Sequence, residues 1–248
     1  MEIEDSAVVF ENDAVLVVNK PAGLMVHADG HIDAPTVVDW FLGRTPEAHG
    51  VGESQLSQKG EVLERSGVVH RLDRETSGVM VLAKTQKAFT HLKKQFHDRL
   101  VHKEYRAFVY GPVREQWGTV DRKIGRSASD FRQRSAQQGA KGTLRDAVTE
   151  WECIGTGRYN DEHFSYMKLM PKTGRTHQLR VHLKAIGKPI VGDTLYAASE
   201  MERSNNLDFE RLALHAHILD ITLPNGEEGR FIAPLPLVFD VAAEKIAE

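Results

Sequence analysis

Apolar positions in this chain gather into short runs separated by glycine, proline and charged clusters. Ala14-Val15-Leu16-Val17-Val18 has the length and composition of a buried strand, and Pro21-Ala22-Gly23 ends it, so residues 7–27 read as strand, turn, strand. A short helix is predicted from Pro35, carrying Val37, Val38, Trp40, Phe41 and Leu42. Residues 43–65 are polar and glycine-rich. They read as a surface insertion, with 44–65 as a flexible loop. Val79–Ala83 repeats the buried-strand pattern. A helix follows over roughly 86–99, with Phe89, Leu92, Phe96 and Leu100 as its apolar stripe. Further strands are expected at 105–110, 147–154, 164–170 and 212–223. A helix is expected at 175–186, closed by Gly187 and Pro189, and a short one at the C-terminus. Residues 121–145 are basic and rich in Gly, Ser and Gln, and read as an irregular loop or a hairpin. Strands and helices do not alternate regularly, so the fold class is α+β with a mixed, mostly antiparallel sheet.

The 248 residues are 41% hydrophobic and 27% charged, a mixture that excludes disordered, collagenous and coiled-coil chains. No apolar run reaches the ~18 residues of a membrane span. The acidic start Met1-Glu2-Ile3-Glu4-Asp5 is no secretory signal, and a single cysteine, Cys153, fits a reducing cytoplasm. Net charge is −3, but it is unevenly spread. Residues 66–198 carry 24 Lys/Arg against 13 Asp/Glu, while both flanking stretches are acidic. That asymmetry is one signature of a polyanion-binding surface; charges scattered over a folded surface are the alternative.

Two segments concentrate chemistry. His70-Arg71-Leu72-Asp73-Arg74-Glu75-Thr76-Ser77-Gly78 is a polar loop between apolar strands, where catalytic groups often sit. It reads equally as a solvated turn in which Asp73 and Thr76 satisfy backbone donors. In Lys172–Lys184, the residues His177, Arg180 and Lys184 form a basic stripe on the expected helix, and Lys168–Lys188 holds six Lys/Arg and no carboxylate. An arginine there would favour the ionised form of a neighbouring carboxylate. No metal site is expected, since His177 and His182 lie five apart and share no helix face. Neither a Walker loop nor a GxGxxG turn is present. Cys153 reads as inert packing in a strand.

These residues, in this order, resemble the RluA-type pseudouridine synthases. His70-Arg71-Leu72-Asp73 with Thr76-Ser77-Gly78 is similar to the family signature. Val18–Leu24, Lys103–Ala107, Thr173–His182, Pro189–Asp193, Leu214–Ala216 and Ala233–Pro236 resemble its other motifs, so the likeness covers nearly the whole chain. It implies one catalytic domain over 1–248, with the pseudouridine synthase fold and a central RNA-binding cleft. It implies conversion of uridine to pseudouridine in structured ribosomal or transfer RNA, with no cofactor, by a cytoplasmic monomer needing no protein partner. Residue by residue, Asp73 matches the catalytic aspartate, Tyr105 the tyrosine packed against the target base, and Arg180 the arginine paired with the aspartate. Arg71 matches the arginine that enters the RNA stack. His70, Thr76, Arg175, His177 and Gln178 fall in the same motifs as substrate-binding residues. Many members carry a basic S4 domain upstream; this chain starts almost at the catalytic motifs, so recognition is expected from the domain itself.

Overall fold

The structure, a computed structural model, describes residues 3–28, 34–53, 55, 56, 60, 62, 63, 65–130, 132–201 and 205–247. The chain forms two compact units, Met1–His102 with Ala216–Pro234, and Lys103–His215 with Leu235–Glu248. Each is α+β.

In the first unit, β1 (Val8–Glu11), β2 (Val15–Lys20), β5 (Ser77–Ala83), β13 (Leu214–Thr222) and β14 (Glu228–Ile232) lie side by side in that order. The pairs β1–β2, β2–β5 and β13–β14 are antiparallel. Val15 to Val18 of β2 and all seven residues of β5 are buried, as continuous apolar runs require when both faces of a sheet are covered. Helix α1 (Val37–Arg44) starts two residues later than Pro35 implied. Thr36 caps it and Asp39 returns the bond to the Thr36 N–H, a reciprocal capping box. Within the insertion, Pro46–Ala48 forms a 3-10 turn, and β3 (Gln55–Leu56) pairs with β4 (Val62–Leu63) in a two-stranded ladder. Residues 54, 57–59, 61 and 64 of it lie outside the described residues.

Helix α2 (Gln86–Asp98) buries Phe89 and Leu92, but Leu100 is not part of its stripe: Arg99 turns left-handed and ends the helix, leaving Leu100 71% exposed. Its place is taken by a polar residue. Gln95 is buried, and its amide both donates to Thr222 O and accepts from Thr222 N, tying the helix to the end of β13.

The second unit carries the antiparallel ladder β6 (His102–Tyr110), β12 (Glu162–Pro171), β11 (Val148–Tyr159) and β7 (Trp117–Asp121), in that order. Strands β11 and β12 extend well past the expected 147–154 and 164–170. Asn160 and Asp161, both left-handed, close them into one long hairpin. Helix α5 (Leu237–Ala247) lies on β11 where Gly157 leaves room; a Cβ there would sit 1.7 Å from Ile246 O. Beneath it Phe108 stacks on Tyr166 with ring centroids 4.4 Å apart, and Phe209 meets Phe239 edge-on. The basic stretch 121–145 is not irregular. It forms a three-stranded antiparallel sheet of β8 (Ile124–Arg126), β9 (Arg134–Ser135) and β10 (Lys141–Arg145), with β8 central. Ile124 anchors it to the buried group Ala147, Val181 and Tyr196. Helix α3 (Gln178–Ala185) begins three residues later than expected, because His177 is left-handed and cannot join it; the single turn α4 (Ala198–Met201) follows. Among the described residues, no helix is long and apolar enough to cross a membrane.

Candidate active site

The candidate residues fall into two groups. His70, Arg71, Asp73 and Thr76 belong to the first unit, and Tyr105, Arg175, His177, Gln178 and Arg180 to the second.

The signature loop is pinned from three directions. The Nζ of Lys20, a fully buried lysine at the end of β2, donates to the carbonyls of Pro21, Leu24 and Arg74 at 2.7, 2.9 and 3.0 Å. The Gly23 N–H donates to Arg74 O, and Arg74 Nε donates back to Gly23 O. The backbone one residue after Asp73 is thereby zipped to the turn that ends β2. Thr76 N–H donates to Asp73 O and closes the loop's own turn. Where the loop enters β5, Gly78 has φ +118°, and a Cβ would meet Ala216 O at 2.1 Å. Only glycine fits between β5 and β13 at that point.

His70 braces this loop. The Val81 N–H donates to its Nε2 at 3.1 Å, and its ring stacks on Phe96 at 4.4 Å. Arg71 is exposed, and its guanidinium donates to His27 Nε2 at 3.3 Å while His27 Nδ1 donates to Ala28 O. Beside it lies a cavity of about 190 Å³ lined by Arg65, Arg71, Lys93, His70 and Glu53, among others. Burial, reinforced by the Arg71 charge, lowers the Arg65 pKa.

In the second unit, Tyr105 sits on β6 opposite Leu169, half-buried against the core. Lys103, two residues earlier on the strand, has its pKa lowered to about 8 by burial. Arg180 is buried, and its Nε and one Nη hold the two carboxylate oxygens of Asp193 at 2.7 and 2.8 Å. Such a fork-to-fork pair fixes the guanidinium plane. Asp193 Oδ1 also accepts from the backbone N–H groups of Leu195 and Tyr196, each at 3.0 Å. Neither Asp193 nor Tyr196 is singled out by residue type alone, since a Gly-Asp pair and a tyrosine in a polar stretch are common. For Asp193 the signal was its place at the end of the Pro189–Asp193 motif, and for Tyr196 only its position close behind the last basic helix.

The expected basic stripe is rearranged around Tyr196. The hydroxyl of this buried tyrosine accepts from the Arg134 N–H and meets His177 Nδ1 at 2.9 Å. Arg180 and Lys184 lie over its ring at 4.9 and 5.6 Å. His177, Arg180 and Lys184 therefore converge on a ring instead of forming an outward anion surface. Two further cations of the Lys168–Lys188 run meet carboxylates from elsewhere: Lys168 pairs with Glu152 and Lys172 with Glu150.

Gln178 is also held within the protein. Its amide oxygen accepts from Thr173 Oγ1 and Arg175 N, and its amide nitrogen donates to Val148 O and Thr149 Oγ1. All four positions of this buried amide are used inside the protein, so Gln178 braces the 173–178 turn. Arg175, by contrast, is only half-buried, its Nε on Asp146 O, and it lines a groove of about 570 Å³ with Gly174 and Thr176.

Comparison with known proteins shows the family to which the chain belongs. Residues 14–185 match the family model of RNA pseudouridylate synthases, a stretch that contains Asp73, Tyr105 and Arg180. An uncharacterized RNA pseudouridine synthase of Synechocystis is 39% identical over 238 residues, which are 94% of this chain and 66% of that protein. A dual-specificity RNA pseudouridine synthase of Vibrio parahaemolyticus is 37% identical over 240 residues, 96% of this chain and 86% of that protein. The solved structure of human RNA pseudouridylate synthase domain containing 1 superposes with a TM-score of 0.73 at 26% identity, covering 97% of this chain and 89% of that one.

Proposed function

Because the chain belongs to the RNA pseudouridylate synthase family, we propose that it isomerises uridine to pseudouridine within structured RNA, ribosomal or transfer. The observation that carries this reading is the family match over residues 14–185, a stretch in which Asp73, Tyr105 and Arg180 lie.

The reaction breaks the N1–C1′ bond, turns the uracil and joins C5 to C1′. The C5 proton is lost and N1 gains one, so electrons balance without a redox partner. We assign the carboxylate of Asp73 to C1′ chemistry, either by covalent attack or by removal of a ribose proton that yields a glycal. Arg180 is its partner, favouring the ionised form, and Asp193 holds the guanidinium plane for that task. Tyr105 gives the detached base a stacking face and takes part in removing the C5 proton. Arg71, exposed at the loop surface, occupies the gap the base leaves, which offsets part of the few kcal/mol of unstacking. Thr76, His177 and Arg175 complete the substrate contacts. The ordered loop next to Asp73, pinned by Lys20, supports this reading, because a positioned nucleophile needs a backbone that does not drift.

The chain passes between its units at three places, so neither unit is a continuous segment. That connectivity supports one catalytic domain over 1–248. The test is Asp73→Asn. Turnover should fall below about 1% while RNA affinity stays within a few-fold, since the amide is nearly isosteric but is neither nucleophile nor base. Substantial residual turnover would remove Asp73 from its role.

A further inference from the structure

The three-stranded sheet of the second unit carries cations where a sheet should avoid them. Arg126 on the central strand stands directly opposite Arg134 on β9 and directly opposite Lys141 on β10. Like charges facing each other across a ladder destabilise it. The carboxylates of this segment do not relieve the repulsion: Asp130 is taken by Arg132, and Asp146 pairs with Lys123. Arg126, Arg134 and Arg145 have no ion pair among the described residues.

Arg126, Arg134, Arg145 and Arg175 all line the groove of about 570 Å³, together with Gly142 and Gly174. The glycines leave its floor without side chains at those points, so a ligand backbone can lie close to the protein's. The groove is also held in place. Ile124 and Tyr196 root β8 and β9 in the buried group beside α3, and the Arg134 N–H is bonded to the Tyr196 hydroxyl at 2.8 Å. Four arginines on an anchored scaffold, with a mutual repulsion that no ion pair to Arg126, Arg134 or Arg145 among the described residues cancels, describe a site completed by a polyanion.

We propose that this groove binds the phosphate backbone of the RNA, through Arg126, Arg134, Arg145 and Arg175, and contributes affinity without base recognition. The inference rests on the RNA-modifying function above and adds where the backbone docks. Arginine forks match phosphate oxygens in pairs, and no acceptor-bearing side chain lines the groove apart from Thr143 and Thr176, so base edges have little to meet.

The experiment compares wild type with Arg126→Gln, Arg134→Gln and the double variant. Binding of total transfer RNA and of fragmented ribosomal RNA is measured over a range of salt, alongside thermal unfolding of the free protein. Arg158→Gln is the control: it removes the same charge from an exposed pair with Asp161, outside the groove. Each single variant should weaken binding by roughly tenfold and reduce the slope of log K against log salt by about 0.7–0.9. The control should change neither. The single variants should be at least as thermostable as wild type, because a like-charge pair has been removed. If Arg126→Gln and Arg134→Gln bind like wild type, the groove is not the docking site, and the isomerase reading stands on its own assay. If they lose stability in step with affinity, the arginines are structural and the proposal falls. If wild type binds with a steep salt slope but does not isomerise uridine in these RNAs, the function fails while the groove survives.

Discussion

Asp193→Asn should disable this protein from within the second unit. The wild-type carboxylate makes two charge-assisted bonds to Arg180 at 2.7 and 2.8 Å, with the Asp193 side chain fully buried and that of Arg180 only 9% exposed. Asparagine keeps one oxygen, which the Leu195 and Tyr196 N–H groups will claim. Its amide nitrogen then points donor to donor at the guanidinium. Removing one partner of a buried pair costs about 3–5 kcal/mol, because the remaining charge stays desolvated. The Tyr196 ring at 4.9 Å continues to shelter the cation, an interaction worth up to about 2 kcal/mol when desolvated, so the lower end, about 3 kcal/mol, is expected. Urea unfolding reads this directly. A cycle with Arg180→Met isolates the pair from the other contacts Arg180 makes, and the double variant should cost at least about 2 kcal/mol less than the sum of the singles. Turnover should fall further than unfolding accounts for, as an unclamped guanidinium no longer holds its plane. An Asp193→Asn cost under about 1 kcal/mol, or strictly additive singles, would refute the clamp.

Two other substitutions test the scaffold. Gly78→Ala places a Cβ 2.1 Å from Ala216 O at φ +118°, where backbone must move; it should cost more than about 4 kcal/mol or prevent folding, judged by circular dichroism and soluble yield. Lys103→Met should stabilise the protein, with an effect that depends on pH. Burial holds the folded pKa at about 8, below its ordinary 10.5, so the charged form is penalised below pH 8 and the penalty disappears as pH rises towards 10.5. The shift sets a ceiling of about 3 kcal/mol at pH 7, and the half-buried side chain's access to solvent lowers the gain beneath it. Unfolding at pH 7 and pH 10.5 should show the advantage shrinking; a constant advantage would mean that packing, not charge, is responsible.

Strands whose residues were apolar in succession were legible in the sequence because burial on both faces leaves no other pattern, as in β2 and β5. The turn after β2 and the closing Gly187 were legible from Pro and Gly chemistry. Helix ends were less so. Leu100 fits the 3.6-residue period, yet Arg99 adopts a left-handed conformation that periodicity does not encode, and His177 does the same before α3. Strand β14 was not foreseen, and the three-stranded basic sheet was foreseen only as the hairpin alternative to an irregular loop, because β14 and β10 are mostly exposed and carry little hydrophobic signal. The site residues Asp73, Tyr105 and Arg180 were named from motif likeness. Lys20 and Asp193 fell inside quoted motifs, but their supporting roles, and Tyr196 altogether, were not legible, because Arg74, Arg180 and Arg134, which they meet, lie in other segments. The basic run Lys168–Lys188 misled for the same reason: Glu150, Glu152 and Asp193, which pair with its cations, lie outside it.

The central claim, that this chain replaces the N1–C1′ bond of uridine in RNA with a C5–C1′ bond, is tested most directly by label release. RNA transcribed with tritium at C5 of uridine is incubated with the purified protein alone, without nucleotide, flavin, nicotinamide or added metal. Tritium should appear in water in step with pseudouridine in the digested product, the RNA chain should stay intact, and no free uracil should accumulate. Asp73→Asn should release none. Free uracil that still carries its tritium, with none in water, would indicate a hydrolase, and no release from either transfer or ribosomal RNA would contradict the isomerase account altogether.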